Sequence, residues 1–335
     1  GDKGVSLEYQ AITDLEIPFI PFPTSRLQRK FTRHTIPSLL RLPKGFFTAL
    51  FIIKKHKPDV ILSFGGYIAL PICFAAFLQK IPIVIHEQTF GAGLTNKLTA
   101  SFAKKVCISW ETSLPFFPKN KTVLTGNPIY KGEVSKDIAT VLPENKTLPL
   151  VVIVGGSSGS HAINCFIEES LQKLLEKVAI VHQTGDAKEF GDFDRLVRVA
   201  NAFPKRLQER YKPVRFIAPD SIFPLFEKAD IIVGRSGINT VLTLLILQKP
   251  SLLIPLPISQ QQEQLQNAQF LQKAGLAKIL SQAVLTPEKL YEEIIDMVQK
   301  KNTYKTIFND TTAQLHLNSA QKIATIVYET AHSNS

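Results

Sequence analysis

This chain has 335 residues, of which 44% are hydrophobic and 20% charged, a composition typical of a globular protein and not of a disordered or fibrous one. Its length exceeds what one hydrophobic core usually covers, so we expect two domains. The three cysteines lie far apart in apolar segments, which excludes a disulfide framework and a cysteine metal cluster. No apolar run reaches the ~18 residues that a membrane-spanning helix needs.

The net charge of +11 is unevenly distributed. Residues 1–135 carry 17 Lys and Arg against 8 Asp and Glu, or +9, which leaves +2 for the rest. The segment 17–58 has nine basic residues and no acid, so we expect the first half to meet a polyanion or an anionic membrane. The segment 36–56 has more apolar residues than one core-facing stripe requires. It is either a helix packed on its own sheet or, as we favour, a surface resting on an anionic leaflet.

Short apolar runs alternate with helical patterns, which predicts parallel α/β layers. The predicted strands are 17–21, 59–64, 81–87, 105–109, 122–126, 148–155, 178–183, 214–218, 229–234 and 250–255. The predicted helices lie near 36–56, 67–79, 94–103, 161–177, 262–273, 286–300 and 311–330. A polar linker separates two such series, so we predict two facing domains with a cleft between them. Gly1–Gly4 resemble the turn after a strand, and we expect a further N-terminal piece before them.

The strongest local signal is VVIVGGSSGSHAIN (151–164), in which an apolar strand runs through glycines into a helix. Such a turn is either a phosphate cradle of backbone N–H groups or a tight turn without a ligand, and by itself it supports both equally. The next strand ends at His182-Gln183 without a carboxylate, which argues against a dinucleotide. No Gly-Lys-Ser/Thr sequence closes the turn, so it is not a Walker loop.

Two signals follow strands in the first half. Ser63-Phe64-Gly65-Gly66-Tyr67 is a second glycine turn, weak evidence for a ligand by itself. His86-Glu87 ends a strand, where open α/β sheets bind their ligands. The imidazole beside a carboxylate could be a general base, although spacing alone favours a His that caps the next helix.

Two further signals lie in the second half. Gly234–Thr240 again leads from a strand into a helix, and a glutamine-rich run, 260–264, follows the next strand. Amide side chains suit sugar hydroxyls, and they suit the solvated start of a helix equally well. Asp192-Phe193-Asp194 is similar to the DxD that holds a metal-bound diphosphate, but helix capping explains it better. No residue spacing predicts a metal site.

Several segments, taken in order, resemble one family. They are KPDVILSFGGY (57–67), IPIVIHEQ (81–88), GLTNKLTA (93–100), TGNP (125–128), IVGGSSG (153–159), HQTG (182–185), the RSG turn (235–237) and the glutamine-rich run before Asn267. This set resembles the MurG-type N-acetylglucosaminyltransferases of bacterial peptidoglycan synthesis. The resemblance covers about residues 1–330 and implies a GT-B fold of two Rossmann-like domains.

The resemblance also implies the reaction. It implies a UDP-N-acetylglucosamine donor, a lipid I acceptor (undecaprenyl-diphosphoryl-N-acetylmuramoyl-pentapeptide), lipid II as product, and inversion without a metal or other cofactor. It implies a peripheral protein at the cytoplasmic face of the inner membrane, which we expect to meet the anionic surface through 26–57. We expect no nucleic-acid partner. The expected domains are 1–135 for the acceptor and membrane and 136–312 for the nucleotide sugar. A helix within 313–335 is expected to pack back toward the first domain.

Carried onto this sequence, the resemblance implies a role for each matching residue. The catalytic pair is His86 with Glu87. Acceptor contacts are Gly65, Gly66, Tyr67 and Thr89. Donor contacts are Gly155, Gly156, Ser157, Ser158, Asn164, Phe216, Ile217, Ile238, Asn239, Thr240, Thr243, Glu263 and Gln264.

This sequence departs from the family pattern at three of the implied positions. Thr89 stands where the family has Asn, Tyr130 where it has Arg, and Thr243 where a Glu holds the ribose. Losing that charged acceptor would weaken donor binding by ~1 kcal/mol or more. Two other functions therefore stay open: a GT-B enzyme with another lipid acceptor, and a non-catalytic nucleotide-sugar-binding module.

Overall fold

The computed structural model describes most of the chain, in two compact units. The described residues are Tyr9, Ile12 and 16–22, 35–131, 142–143, 147–156, 158–185, 187, 189–259, 262–305 and 310–333. The first unit comprises Gly1–Pro128 and Leu315–Ser335, and the second comprises Ile129–Gln314.

Strands and helices alternate along both units. Up to residue 128 the elements are α1 (Thr35–His56), β1 (Ile61–Ser63), α2 (Ala69–Leu78), β2 (Ile83–Glu87), α3 (Leu94–Ala100), β3 (Lys105–Ile108) and β4 (Thr122–Leu124). The second unit contains β5 (Leu150–Val154), α4 (His161–Leu175), β6 (Ala179–Gln183), α5 (Asp192–Asn201), α6 (Lys205–Gln208), β7 (Tyr211–Val214), α7 (Pro219–Lys228), β8 (Ile231–Gly234), α8 (Ile238–Ile246), β9 (Ser251–Leu253), α9 (Glu263–Lys273), β10 (Ala277–Ile279) and α10 (Pro287–Gln299). The helices α11 (Asp310–Leu317) and α12 (Ser319–His332) follow.

The first unit is built on a parallel sheet in the order β1-β2-β3-β4. Its strands are apolar at successive positions because both faces are covered, as parallel sheets require. Ile83 and Ile85 pack into a core on one face. On the other face Val84 and Cys107 pack against Ile323 of α12, so the end of the chain completes this core.

The second unit has a six-stranded parallel sheet in the order β10-β9-β8-β5-β6-β7. Counted from β5, this is the doubly wound order 3-2-1-4-5-6, whose direction of winding reverses between β5 and β8. Val151 and Ile153 face one core and Val152 and Val154 face the other, which explains the unbroken apolar run of β5. Both sheets confirm the predicted fold class of parallel α/β layers.

Some predicted elements differ from the structure. The predicted strand 17–21 has no strand structure, because Pro18 and Pro21 lack the N–H groups that a ladder needs. The predicted strand 214–218 is instead β7, at the sheet's edge, where Pro213 is tolerated. The predicted helix 311–330 is interrupted at Asn318. Within the described part of the chain, no helix is long and apolar enough to cross a bilayer.

Candidate active site

The two glycine turns of the second unit follow neighbouring strands. The turn 155–160 follows β5, and the turn 235–237 follows β8, which pairs with β5. They therefore sit at the carboxyl ends of the two strands between which the winding reverses. In doubly wound sheets this point forms a crevice that binds ligands.

The first of these turns needs its glycines for two reasons. A Cβ at Gly155 would lie 2.4 Å from Ser160 N, and one at Gly159 would lie 2.0 Å from Thr184 O. These two glycines are thus required by close packing. Gly156 has φ +89° and open space where a Cβ would be, so here the backbone can approach a ligand. Ser158 is exposed beside it, whereas Ser157 lies outside the described residues.

Both turns lead into helix N-termini without side-chain caps. Ser160 precedes α4 and Gly237 precedes α8, and neither accepts a cap hydrogen bond from its helix through a side chain. The first-turn N–H groups and the helix dipole therefore favour an anion at each end. Each end is therefore a candidate site for a phosphate group.

Arg235 begins the turn 235–237 and also contacts the turn 155–160. Its guanidinium, in a residue that is 9% exposed, donates to Ile254 O (2.9 Å), Ser160 Oγ (2.7 Å) and Gln282 Oε1 (2.6 Å). No carboxylate among the described residues pairs with it, and burial lowers its pKa. A buried cation without an acid leaves a positive field at the turns that a diphosphate would neutralise. In the sequence, the signal for this buried cation is an arginine that lies between Gly234 and Gly237.

Asn164 was predicted to contact the donor, but its amide is used within the protein. The residue is 1% exposed, and Nδ2 donates to Thr184 O (2.9 Å) and to Asp192 Oδ2 (2.7 Å). Its Oδ1 accepts from His182 Nε2 at 3.0 Å. Asn164 therefore holds α4 against the end of β6 and supports the turn. The predicted capping by Asp192-Phe193-Asp194 is wrong, because Gly191 is the N-cap of α5 and no side chain caps it. The Asp192 carboxylate instead accepts from Asn164 and Arg195.

The remaining donor candidates divide into exposed and buried residues. Phe216 is 40% exposed, whereas Ile217 and Ile238 are buried in the core. Asn239 is exposed, and Thr240 and Glu263 are partly exposed. Gln264 accepts from Leu256 N through Oε1 (2.9 Å), which leaves its Nε2 group for a ligand. Thr243 is 7% exposed and donates to Asn239 O at 2.9 Å, so this position offers no charged acceptor.

In the first unit, the glycine turn after β1 lies beside α3. Gly65 and Gly66 both have φ +80°, and a Cβ at Gly65 would meet the Asn96 amide at 3.0 Å, whereas Gly66 faces open space. Tyr67 is partly exposed next to them. Asn96 donates to Glu87 Oε2 (3.0 Å), and its buried Oδ1 has no partner in the part of the chain that the structure describes. Sequence reasoning missed Asn96, although it lies within one of the resembling segments.

Glu87 does not support His86, contrary to the sequence-based expectation. Its Oε1 accepts from Thr89 N (3.0 Å) and Oγ1 (2.7 Å), and its Oε2 accepts from Gly93 N (2.8 Å) and Asn96. Neighbouring residues on a strand point to opposite faces, so the carboxylate points away from the imidazole. Glu87 therefore holds the loop after β2. It also accepts the hydrogen bond that the Thr89 hydroxyl donates.

His86 is held at the end of β2 by the turn after β4. The residue is 1% exposed, and Nε2 lies 3.0 Å from Gly126 O and 3.2 Å from Ser109 Oγ. Its Nδ1 is buried and has no hydrogen-bond partner among the described residues, and the Phe64 ring lies edge-on at 5.6 Å. Burial lowers the pKa of His86 and outweighs the Gly126 hydrogen bond and the Glu87 charge, which raise it. His86 is thus a neutral imidazole with one lone pair that no described residue uses.

Comparison with known proteins identifies the family. The family described as the glycosyltransferase family 28 C-terminal domain matches residues 150–325, and the corresponding N-terminal domain matches residues 5–108. A UDP-N-acetylglucosamine--N-acetylmuramyl-(pentapeptide) pyrophosphoryl-undecaprenol N-acetylglucosamine transferase of Clostridium botulinum is 34% identical over 90% of this chain and 81% of its own length. This chain belongs to glycosyltransferase family 28. The predicted hexosyltransferase class and the MurG-type resemblance are thereby confirmed.

Other members and neighbours agree with this assignment. A Bacillus anthracis transferase of the same printed name, numbered 2, is 30% identical over 96% of this chain and 87% of its own length. The crystal structure of Acinetobacter baumannii MurG matches with TM-score 0.66 and 26% identity over 97% of this chain and 89% of that one. A Methanocaldococcus jannaschii UDP-GlcNAc 2-epimerase, with TM-score 0.59, 16% identity and coverage of 95% and 87%, shares the fold alone.

Proposed function

We propose that this family 28 transferase moves N-acetylglucosamine from UDP-N-acetylglucosamine to the 4-hydroxyl of the muramoyl sugar of lipid I, forming lipid II. One observation supports donor binding: two helix N-termini without side-chain caps lie next to the buried Arg235, which no carboxylate of the described residues neutralises. These groups can stabilise the departing diphosphate without a metal. The curated relatives, which carry this activity in their names, support the acceptor half.

In the proposed reaction the muramoyl 4-hydroxyl oxygen attacks the anomeric carbon of the donor. The new carbon–oxygen bond forms as the bond from that carbon to the UDP oxygen breaks, with inversion. The hydroxyl proton passes to Nδ1 of His86, a buried nitrogen whose lone pair no described residue uses. Because Nδ1 is buried, a hydroxyl reaches it only when a neighbouring group moves, and we assign this movement to Phe64, which is 54% exposed and lies edge-on to the imidazole. Catalytic hydrogen bonds often form only in the substrate complex.

The test is transfer from labelled UDP-sugars to a lipid I analogue, with products separated by thin-layer chromatography. We expect transfer from UDP-N-acetylglucosamine that EDTA does not abolish, and a 10²–10⁴-fold loss of kcat in His86→Gln. UDP binding should be unchanged in that variant. Transfer to diacylglycerol instead would contradict lipid I as the acceptor, and an active His86→Gln variant would contradict His86 as the general base.

We also propose that an aromatic face of the first unit binds the anionic cytoplasmic surface of the membrane. Phe47 and Phe51 of α1 are each 67% exposed, and Phe74 and Phe77 of α2 are 43% and 47% exposed. Phe46, Phe74, Phe77 and Phe102 form a run of ring contacts. The exposed Lys54 and Lys55 end α1. Exposed aromatic rings next to lysines suit the interface of an anionic leaflet. The basic residues at 26–33 lie outside the described residues.

Sedimentation with vesicles tests this surface. We expect binding to vesicles rich in phosphatidylglycerol, weaker binding to phosphatidylcholine alone, and a loss of at least about tenfold in the double variant Phe47→Ser, Phe51→Ser. Tyr328→Ser on α12 is the matched control, since Tyr328 is 66% exposed. Equal losses in both variants would contradict a specific face.

A further inference from the structure

One peptide group lies between two buried imidazoles in the first unit. The Gly126 carbonyl oxygen is 3.0 Å from His86 Nε2, and the Asn127 N–H donates to His316 Nδ1 at 2.9 Å. The carbonyl and the N–H belong to the same peptide bond. His86 and His316 are 1% and 0% exposed, so both interactions are shielded from water.

The hydrogen-bond network assigns a tautomer to each ring. A carbonyl can only accept, so Nε2 of His86 carries the proton and Nδ1 carries the lone pair. The Asn127 N–H can only donate, so Nδ1 of His316 carries the lone pair and Nε2 the proton. The bare nitrogen of His86 is the atom to which the proposed reaction delivers a proton.

The surrounding residues fix this arrangement in place. Gly126 has φ +82°, and a Cβ there would lie 2.7 Å from Leu315 O, so this turn packs directly on α11. The Trp110 ring lies 4.6 Å from the His316 ring. Among the described residues, Glu87 is the one charged group that acts on His86, and none acts on His316.

We propose that His316 is a positioning residue for His86, acting through the Gly126–Asn127 peptide; this rests on the proposed function of His86. When Nδ1 gains a proton, the imidazolium donates more strongly from Nε2 to Gly126 O. Hydrogen bonds in series polarise one another, so His316, by accepting the Asn127 N–H, makes that carbonyl a better acceptor. His316 also fixes the turn, and hence the orientation and tautomer of the His86 ring. His316 itself keeps its proton throughout the reaction.

The experiment compares His316→Leu, which removes the acceptor, with His316→Asn, whose side-chain oxygen can replace Nδ1. We expect His316→Leu to lower kcat by about tenfold, with the KM for UDP-N-acetylglucosamine within about twofold of the parent value. The acidic limb of its kcat profile should move to lower pH, because the His86 imidazolium loses stabilisation. His316→Asn should restore both. His332→Leu, at the exposed end of the same C-terminal segment, is the control.

Fluorescence of Trp110, the single tryptophan, checks that the first unit is folded in each variant. A folded His316→Leu variant with unchanged kcat and pH profile would overturn the positioning role. So would a folded His316→Asn variant as impaired as His316→Leu, an outcome that decides the question even if the leucine variant does not fold. If His86→Gln remains active, the base assignment and the positioning role both fail. An inactive His86→Gln beside a normal His316→Leu removes the positioning role alone.

Discussion

The two units place polar groups at the same topological position, the carboxyl ends of parallel strands, but with different electrostatics. In the second unit this position holds uncapped helix N-termini and the buried Arg235, which together favour an anion. In the first unit it holds the neutral His86, with a free lone pair, and Glu87, which is saturated by the protein. One architecture thus carries both the proposed leaving-group site and the proposed base, because the side chains after the strands, and not the sheet, set the charge.

The largest expected effect concerns pH and would sharpen this comparison. Burial lowers the pKa of His316 to about 4 and that of His182 to about 3, against ~6.5 in an unfolded chain. The unfolded state therefore binds protons more readily. The free energy of unfolding is therefore highest above about pH 6.5. It falls as the pH drops, by about 1.4 kcal/mol per pH unit for each histidine.

Urea unfolding at several pH values, monitored by Trp110 fluorescence, measures the pH dependence of the free energy of unfolding of the first unit. We expect a smaller loss toward pH 4 in His316→Asn than in the parent, and no difference in the control His56→Gln. Hydrogen exchange in β6 should show losses in the second unit that continue to about pH 3. An unchanged slope in His316→Asn would contradict a buried neutral His316.

The next effect separates packing glycines from ligand-facing glycines within one turn. Gly159→Ala should destabilise the second unit by about 3 kcal/mol, because it adds a backbone clash to a φ of +78°. Gly156→Ala meets open space and should cost about 1 kcal/mol of stability. Thermal unfolding with and without UDP measures both, and equal losses would refute the distinction.

Removing the buried cation should break the electrostatic contrast between the units. Arg235→Leu should raise the Kd for UDP about 10–100-fold, or about 1.5–3 kcal/mol, because the positive charge near the turns is lost, without changing the KM for the acceptor. Arg206→Leu, which removes an exposed arginine of the same unit, is the control. Calorimetry with UDP measures the change, and a Kd within twofold of the parent would show that the cation serves stability alone.

The smallest expected effect concerns Thr243. Its hydroxyl donates to Asn239 O, so a ribose meets no carboxylate at this position. Thr243→Glu should lower the Kd for UDP about fivefold, or ~1 kcal/mol, whereas the neutral Thr243→Gln should not. If both variants weaken UDP binding alike, the position lacks room for the longer side chain and the ribose contact lies elsewhere.

The sequence by itself determined the local features of this protein. Alternating apolar runs and helical patterns predicted the α/β layers, and three glycine turns at strand ends marked the candidate sites. The α/β layers are confirmed because periodicity is a property of neighbouring residues, whereas the role of the glycine turns as sites stays a prediction. Strand bounds near Pro18 and Pro213 were wrong, since proline lacks an N–H group and its effect depends on whether a neighbouring strand needs a donor at that position.

Only the tertiary structure decided which polar groups meet. The sequence placed His86 beside Glu87, but the fold turns them to opposite faces and pairs His86 with Gly126, 40 residues away. It joins Asn127 to His316 across 189 residues, and Arg235 to Ser160 across 75. Asn164, predicted to touch the donor, is bonded within the protein instead. A buried polar group must find a partner, and which partner it finds depends on long-range packing that no local pattern encodes.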